Sequence, residues 1–304
     1  MNTSDTSALA ERLLGAPTSL HLESRTTGRS GAQSYLVRAG ACRYMLKIDA
    51  PGRSLERWQT TVAIQRAAAE RGVTPQVVAS DASARAVLSV CVPEVPLLAA
   101  LFDPTRTEAV LGALIDQIAS LHRIDPTPFA TDVTPLTRCR MVLERLPYAL
   151  PSFAREPWAD LQRRDPSEPA DALCHLDLNP SNLVFDGERV WLIDWDTAGP
   201  GNRWLDLATV VNMLRLSPER TAWMFERYGL RPSPEAFADA RRLVYVAYGF
   251  AFLDLVPEPT TLPLGEVSLA QCYQAMREGR LDMDTDAGRF QLAQAYFASY
   301  GEVA

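Results

Sequence analysis

A histidine, two acidic residues and an asparagine are spaced along one stretch of the chain in a pattern that suits phosphate chemistry. His175 lies two positions before Asp177, Asn182 follows five positions later, and Asp194 lies further along the chain. A carboxylate such as Asp177 can accept the hydrogen bond of an attacking hydroxyl and take its proton. The amide oxygen of Asn182 and the carboxylate of Asp194 are hard ligands that suit Mg²⁺. Phosphoryl transfer needs such positioning and charge neutralisation more than covalent chemistry.

A small β-hairpin is predicted between the two motifs. The apolar runs 183–185 and 190–193 flank Asp186-Gly187, a strong turn signal. The hairpin would carry the first motif at one end and Asp194 at the other. An isolated Asp-x-x-x-x-Asn more often caps backbone groups in a turn, and Asp194 alone could cap the turn before Gly199. The joint pattern, with His175 in front, favours catalysis.

The elements that must position these residues fall into two groups. A short amphipathic helix at 5–15 comes first, and then the chain reads as a sheet with one inserted helix. Strands are predicted at 19–27, 34–38, 42–49, 76–80 and 84–92, and the helix at 54–71. Pro93-Glu-Val-Pro96 resembles a hinge. Helical periodicity then predominates, at 110–121, 136–146, 205–216, 218–228, 234–255, 269–278 and 285–300.

The predicted fold class is α+β with two lobes. The N-lobe is expected to span residues 1–93, the hinge 94–97 and a helical C-lobe 98–304. The chain is too long for one small core, which agrees with two lobes.

Charge and composition exclude several function classes. The net charge is −7 and the isoelectric point about 5.1, so no nucleic-acid partner is expected. The longest apolar run, residues 243–253, is too short to span a bilayer, so no membrane partner is expected. Five cysteines are scattered without zinc or disulfide spacing, and the first 15 residues lack an apolar signal core. These features predict a cytoplasmic protein.

Three motifs of the chain resemble those of the aminoglycoside phosphotransferase and choline kinase family, which shares its layout with protein kinases. The stretch from His175 to Asn182 is similar to the family's His-x-Asp-x-x-x-x-Asn catalytic loop. Leu192-Ile-Asp194 through Gly199 is similar to its second metal motif, and Asp206-Leu-Ala208 to a downstream motif that opens a helix.

The resemblance implies a protein-kinase-like fold and a phosphotransferase activity. The implied donor is ATP, with GTP also possible, and the implied cofactor is Mg²⁺. The acceptor would be a hydroxyl of a small molecule such as an aminoglycoside, choline or a related metabolite. Asp177 would orient the hydroxyl, His175 would support its loop, and Asn182 and Asp194 would hold the metal. Asp206 would brace the catalytic loop.

The resemblance also implies nucleotide contacts in the N-lobe. Lys47, alone among apolar neighbours in its strand, would contact the α- and β-phosphates; a solvent-facing lysine is the alternative. Ser30 and Gly31, in a glycine-bearing turn, would cover the phosphates with backbone N–H groups. The hinge backbone at Cys91 and Val92 would meet the purine.

One departure from the family concerns the partner of Lys47. The family's N-lobe helix usually carries a glutamate there, but Gln59, Thr60 or Thr61 stands at the expected place. Glu56, one turn earlier, is the residue that we expect to pair with Lys47. A further acidic residue, Asp196, could bind substrate amines, bind a second metal or cap a turn.

Two other functions remain open. The chain could be a catalytically silent nucleotide-binding module, which the uncertain helix glutamate allows and the intact catalytic motifs oppose. A protein kinase is a weaker alternative, because helical periodicity resumes soon after Asp194, with no Ala-Pro-Glu-type activation segment. Aromatic and acidic residues are dense in the C-terminal helices but do not select an acceptor. The oligomeric state is not predicted.

Overall fold

The computed structural model describes residues 3–15, 20–24, 31–50, 52–129, 133–164, 166, 169–258 and 268–303. Its helices are α1 Thr3–Leu14, α2 Leu55–Glu70, α3 Leu97–Phe102, α4 Thr107–Leu121, α5 Pro135–Arg145, α6 Ser152–Arg164, α7 Trp204–Leu214, α8 Pro218–Tyr228, α9 Pro234–Leu253, α10 Leu269–Arg277 and α11 Asp286–Tyr300. Its strands are β1 Leu20–Ser24, β2 Gln33–Ala39, β3 Cys42–Ile48, β4 Val77–Asp81, β5 Ala86–Val90, β6 Ala172–Cys174, β7 Leu183–Phe185, β8 Val190–Leu192 and β9 Gly199–Gly201. None of the described helices is long and apolar enough to cross a membrane.

The chain divides into two compact units. The first comprises Met1–Phe129 together with Asp177–Gly199, and the second comprises Ala130–Leu176 together with Pro200–Ala304.

The first unit is built on a five-stranded sheet in the order β1-β2-β3-β5-β4, and every neighbouring pair is antiparallel. On one face Leu46 and Ile48 of β3 pack with Leu9 of α1 in a buried apolar cluster. Lys47, between them, points to the opposite face because side chains alternate along a strand. The predicted alternation of β3 is confirmed, and it places one cation on the face opposite α1.

Helix α2 packs on the sheet through an apolar stripe. The hydroxyl of Ser54 caps its first turn by accepting from the N–H of Arg57 at 3.2 Å. Trp58 and Val62 are buried with Val77 and Val87 of the sheet. Helix α2 ends just before Gly72, whose φ of +67° is a backbone conformation that glycine adopts easily.

The predicted hairpin is present as β7 and β8. Leu183 pairs with Leu192, and Phe185 with Val190. The hinge is attached to this hairpin, because the N–H of Val95 donates to the carbonyl of Phe185 at 2.7 Å. The hairpin and the sheet's hinge therefore form one connected frame inside the first unit.

The second unit is mainly helical, and five of its helices begin at a serine or threonine cap that accepts from a backbone N–H: Thr134, Ser217, Ser233, Ser268 and Thr285. Helices α9 and α11 pack closely because residue 249 is glycine. A Cβ there would lie 2.6 Å from the ring of Phe297.

Helix α6 was not predicted. Pro157 lies inside it, and a proline in a helix interior argues against a helical assignment. Packing overrides this preference, since Ala154, Trp158 and Leu161 are buried on one stripe. The ring of Trp158 meets Phe250 edge to face at a centroid distance of 5.1 Å.

Candidate active site

A cavity of about 640 Å³ opens inside the first unit. Strand β3 contributes Lys47, the loop before β7 contributes Asn182, and the segment after β8 contributes Asp194 and Asp196. The hinge residue Val92 lines the same cavity. Predicted residues that lie far apart in the sequence therefore surround a single space large enough for a nucleotide.

Lys47 makes two ion pairs in this cavity. Its Nζ lies 2.7 Å from Oδ1 of Asp194 and 2.8 Å from Oδ1 of Asp196. Burial opposes the charged form of Lys47, but the two carboxylates outweigh burial and raise its pKa. Lys47 therefore stays protonated around neutral pH and can neutralise phosphate.

Asp194 adopts a left-handed backbone conformation, with φ of +64°. This conformation is uncommon outside glycine, although aspartate and asparagine tolerate it best. The preceding N–H, of Ile193, donates to the carbonyl of Asn182 at 3.0 Å. This bond ties the two candidate metal-binding residues together across the base of the hairpin.

The carboxylate of Asp177 is held by two side-chain amides. Asn182 Nδ2 donates to its Oδ2 at 2.9 Å and to its backbone carbonyl at 2.9 Å. Asn179 Nδ2 donates to Oδ1 at 2.8 Å. Asn179 was not among the predicted site residues; its position within the same loop motif, ahead of Pro180, was the available signal.

The oxygen donors of this site fit a hard divalent cation. With Nδ2 of Asn182 directed at Asp177, its amide oxygen remains as the metal donor. Asp194 adds a carboxylate whose side chain is 42% exposed. No nitrogen or sulfur ligand is included in this set, and oxygen-only donors suit Mg²⁺.

In the second unit, Asp206 braces the chain directly before Asp177. Its fully buried carboxylate accepts from the N–H of His175 at 2.8 Å and of Leu176 at 2.7 Å. The side chain of His175 is also fully buried, which agrees with a supporting position. Leu176 has φ of +61°, so the brace holds a strained residue.

The glycine-bearing turn is described only in part. Ser30 lies outside the described residues. Gly31 has φ of +76°, and its neighbour Ala32 lines the cavity. The predicted contact of this turn with phosphates stays a prediction.

The hinge presents fewer backbone donors than expected. Cys91 and Val92 both line the cavity, and their predicted contact with a purine stays a prediction. The N–H of Cys91, however, already donates to the carbonyl of Arg43 at 2.9 Å, because it continues the pairing of β3 with β5. The thiol of Cys91 donates to the carbonyl of Val92 at 3.7 Å, so the N–H and the thiol of Cys91 both have partners within the protein.

Glu56 is not placed where a partner of Lys47 should be. Glu56 is exposed, whereas the residues of α2 that line the cavity are Trp58, Thr61, Val62 and Gln65. A helix turns about 100° per residue, so position 56 points away from the stripe that contains position 58. The ion pairs of Lys47 with Asp194 and Asp196 stand in place of the expected Lys47–Glu56 pair.

Two arginines near the start of α2 belong to the site and were not predicted. Arg53 Nη1 lies 2.9 Å from Oδ1 of Asp196, and its Nη2 donates to the Asp196 carbonyl at 2.7 Å. Arg57 Nη2 donates to the carbonyls of Asp196 and Ala198, each at 3.1 Å. Burial opposes the charge of Asp196, yet Lys47 and Arg53 outweigh it and lower its pKa. The four-residue spacing of the arginines was the available signal.

A family model described as the phosphotransferase enzyme family matches residues 24–241. The chain therefore belongs to this phosphotransferase family. The match confirms the resemblance inferred from the motifs. Curated relatives match over short segments only: protein LicA of Haemophilus influenzae is 34% identical over 55 residues, 18% of this chain. The chain spans 15% and 21% of the length of the first two curated relatives that it matches.

Solved structures are similar over nearly the whole chain. The choline kinase LicA from Streptococcus pneumoniae has a TM-score of 0.70 at 16% identity, over 98% of this chain and 100% of that one. A structure of LicA in complex with AMP has a TM-score of 0.66 at 15% identity, over 97% and 98%. These similarities confirm the predicted α+β, two-lobed, protein-kinase-like fold.

Proposed function

We propose that this chain transfers the γ-phosphoryl group of ATP to a hydroxyl of a small molecule, with Mg²⁺ as cofactor. The observation that carries the proposal is the frame of Asp177, Asn182 and Asp194. Asn182 holds Asp177 through its amide nitrogen and is tied to the residue before Asp194 by a backbone bond. We propose that Asp177 acts as the base beside the two metal donors Asn182 and Asp194, which line the cavity, since in-line transfer requires such positioning.

The nucleotide is proposed to occupy the cavity of about 640 Å³. Its base would lie against the hinge at Cys91 and Val92, between a proposed N-lobe of residues 1–93 and a C-lobe of 98–304. Its phosphates would extend toward Lys47, the protonated amine at the other end. The AMP complex of LicA, a protein of the same fold, supports a nucleotide as donor. ATP is the proposed donor, and GTP is the alternative to be tested.

The chain's residues divide the work of the reaction. Asp177 would accept the hydrogen bond of the attacking hydroxyl, orient its oxygen toward the γ-phosphorus and receive the proton as the ester forms. Lys47 would hold the phosphate tail and offset its charge. Asn182 and Asp194 would hold Mg²⁺, which when bound neutralises charge on the phosphates. Asp206 would keep the loop of Asp177 in place.

The acceptor is proposed to be a small amino alcohol of the choline class. Support comes from the choline kinase LicA structure, which is similar over the full length of both chains. Aminoglycosides and other hydroxyl-bearing metabolites are the alternatives. A cytoplasmic location is proposed because all five cysteines are free thiols, three of them buried, as expected in a reducing compartment.

The test is an ADP-release assay with product identification by mass spectrometry. Purified protein is incubated with Mg-ATP or Mg-GTP and choline, ethanolamine, aminoglycosides, thiamine, homoserine or sugars, with Asp177→Ala as control. We expect ADP release and a phosphate monoester with an amino alcohol, both absent in the variant. Nucleotide binding without a phosphorylated product from any acceptor would contradict the proposal and favour a silent module.

A further inference from the structure

Asp196 is a carboxylate of the cavity that is held by two cations. Its Oδ1 accepts from Lys47 at 2.8 Å and from Arg53 at 2.9 Å. Its side chain is 19% exposed, against 42% for Asp194. Asp194 therefore presents more of its carboxylate to the open cavity, while Asp196 lies deeper and between two cations.

The segment that carries Asp196 is fixed from several sides. Trp195 is buried, and its indole N–H donates to the hydroxyl of Thr74 at 3.1 Å. Arg53 and Arg57 donate to the carbonyl of Asp196 from the start of α2. Asp49, whose side chain is 4% exposed, pairs with Arg53 at 3.3 Å. The position of Asp196 is thus set by contacts that need no bound ligand.

Lys47 requires a partner that stays in place when a metal-bound nucleotide enters. In the proposed function Asp194 is a metal ligand, and a carboxylate oxygen that binds Mg²⁺ cannot serve equally as the partner of an ammonium group. Asp196 is the other carboxylate within ion-pair distance of Lys47 among the described residues. Asp196 can keep its ion pair with Lys47 while Asp194 binds the metal.

Helix α2 offers no carboxylate for this purpose. Its cavity-facing stripe is Trp58, Thr61, Val62 and Gln65, and Glu56 is exposed. The hydroxyl of Thr61 is buried and has no hydrogen-bond partner among the described residues. Cations lie there instead: Arg57 is in the first turn of α2, and Arg53 immediately precedes the cap residue Ser54. Their charge is opposite to that of the glutamate that the family usually places on this helix.

We propose that Asp196 is the residue that positions Lys47 on the nucleotide phosphates, and that Arg53 holds Asp196 for this task. In this arrangement the carboxylate that pairs with Lys47 comes from the segment after β8 and not from helix α2. The region at the start of α2 supplies a cation, Arg53, in place of a carboxylate. It rests on the proposed function, since positioning Lys47 matters only if Lys47 meets a nucleotide. It also makes Asp196 neither a metal ligand nor a binding group for an acceptor amine.

The experiment measures steady-state kinetics for Asp196→Asn, Arg53→Ala, Arg53→Lys and the double variant Arg53→Ala/Asp196→Asn. Arg66→Ala is the matched control, since Arg66 is exposed on α2 and its side chain donates to the hydroxyl of Ser80 at 3.1 Å, a residue that does not line the cavity. Circular dichroism and thermal unfolding check that each variant folds.

For Asp196→Asn we expect the KM for Mg-ATP to rise about 10- to 100-fold, the worth of a charge-assisted hydrogen bond in a partly buried site. The KM of the acceptor and the Mg²⁺ concentration for half activity should stay as in the wild type. Arg53→Ala should raise the KM for Mg-ATP by a smaller factor, and Arg53→Lys should raise it less than Arg53→Ala does. The double variant should have the same KM for Mg-ATP as Asp196→Asn alone.

An unchanged KM for Mg-ATP in Asp196→Asn would overturn the inference. A changed Mg²⁺ concentration for half activity would show that Asp196 is a metal ligand instead. A raised KM for the acceptor would show that Asp196 binds an amine of the acceptor. If the double variant raises the KM for Mg-ATP by the product of the two single effects, Arg53 acts independently of Asp196. The proposed coupling between Arg53 and Asp196 would then be wrong. A wild-type protein that binds no nucleotide would overturn the proposed function and this inference together; normal wild-type turnover with unaffected variants overturns the inference alone.

Discussion

The backbone N–H of Leu176, at φ of +61°, donates to the buried carboxylate of Asp206 over 2.7 Å. The same carboxylate accepts the N–H of His175 at 2.8 Å. Two charge-assisted bonds therefore hold a strained residue immediately before Asp177. The backbone conformation that aims Asp177 depends on a residue 30 positions away in the sequence.

Asp206→Ala should destabilise the fold strongly. The change leaves one buried and one partly buried N–H group without their acceptor, so we expect a loss of about 2–4 kcal/mol in the free energy of unfolding. Urea denaturation followed by circular dichroism measures it. Glu226→Ala, at an exposed position of α8, should change stability by less than about 0.5 kcal/mol. A similar small change for Asp206→Ala would mean that the brace contributes little.

Asp194→Asn should remove the contribution of Mg²⁺ to nucleotide binding while leaving the backbone intact. Asparagine tolerates the φ of +64° at this position, whereas alanine would add strain. Calorimetric titration with ATP in Mg²⁺ and in EDTA gives both affinities. We expect the Mg²⁺-dependent gain of the wild type to fall by at least about tenfold in the variant. An undiminished gain would show that Asp194 does not bind the metal.

Mg-ATP should protect Cys91 from alkylation. Cys91 lines the cavity, Cys42 is exposed elsewhere on the sheet, and Cys139, Cys174 and Cys272 are buried. Burial raises the pKa of the Cys139 thiol to about 12 and of Cys272 to about 11, which suppresses their reactive thiolates. Peptide mass spectrometry after a timed iodoacetamide pulse should show slower labelling at Cys91 and an unchanged rate at Cys42. Equal rates at Cys91 with and without nucleotide would place the nucleotide elsewhere.

Much of this site follows from sequence because its motifs are local. Asp177 and Asn182 lie on one loop, a short hairpin separates that loop from Asp194, and Asp186-Gly187 predicts the hairpin turn. The alternation of β3 likewise assigned Lys47 to the face opposite the apolar cluster. These inferences need only the nearest neighbours in the chain.

The partner of Lys47 could not be predicted in this way. It depends on which face of α2 meets the cavity, and that rotation is set by the packing of Trp58 and Val62 against the sheet. The ion pair between Arg53 and Asp196 joins residues that are 143 positions apart in the sequence. Helix α6 was missed for a related reason, since tertiary packing of Trp158 outweighs the local effect of Pro157.

Acidification should reveal a contribution from Asp160 in the second unit. The hydroxyl of Tyr300 donates to its carboxylate at 2.5 Å and Arg164 at 2.8 Å, and these bonds lower the pKa of Asp160 to about 2. The unfolded chain binds that proton near pH 3.9. The stabilisation is therefore present above about pH 4 and is lost as the pH falls toward 2.

Tyr300→Phe removes the largest cause of that lowered pKa and serves as the matched variant. The free energy of unfolding, measured by urea at several pH values, should differ between wild type and Tyr300→Phe above about pH 4. The difference should narrow as the pH falls toward 2. Curves that remain parallel over this range would contradict the coupling of Asp160 to Tyr300.

The most direct test of the central claim separates nucleotide binding from phosphoryl transfer in Asp177→Ala. Asp177 is assigned to the hydroxyl, and the phosphates are assigned to Lys47 and the metal donors. We therefore predict that Mg-ATP binds the variant with a dissociation constant within about threefold of the wild type. Single-turnover transfer to the acceptor should fall by about 10²- to 10⁴-fold, the usual worth of a positioned general base. Transfer at the wild-type rate in Asp177→Ala would contradict the account.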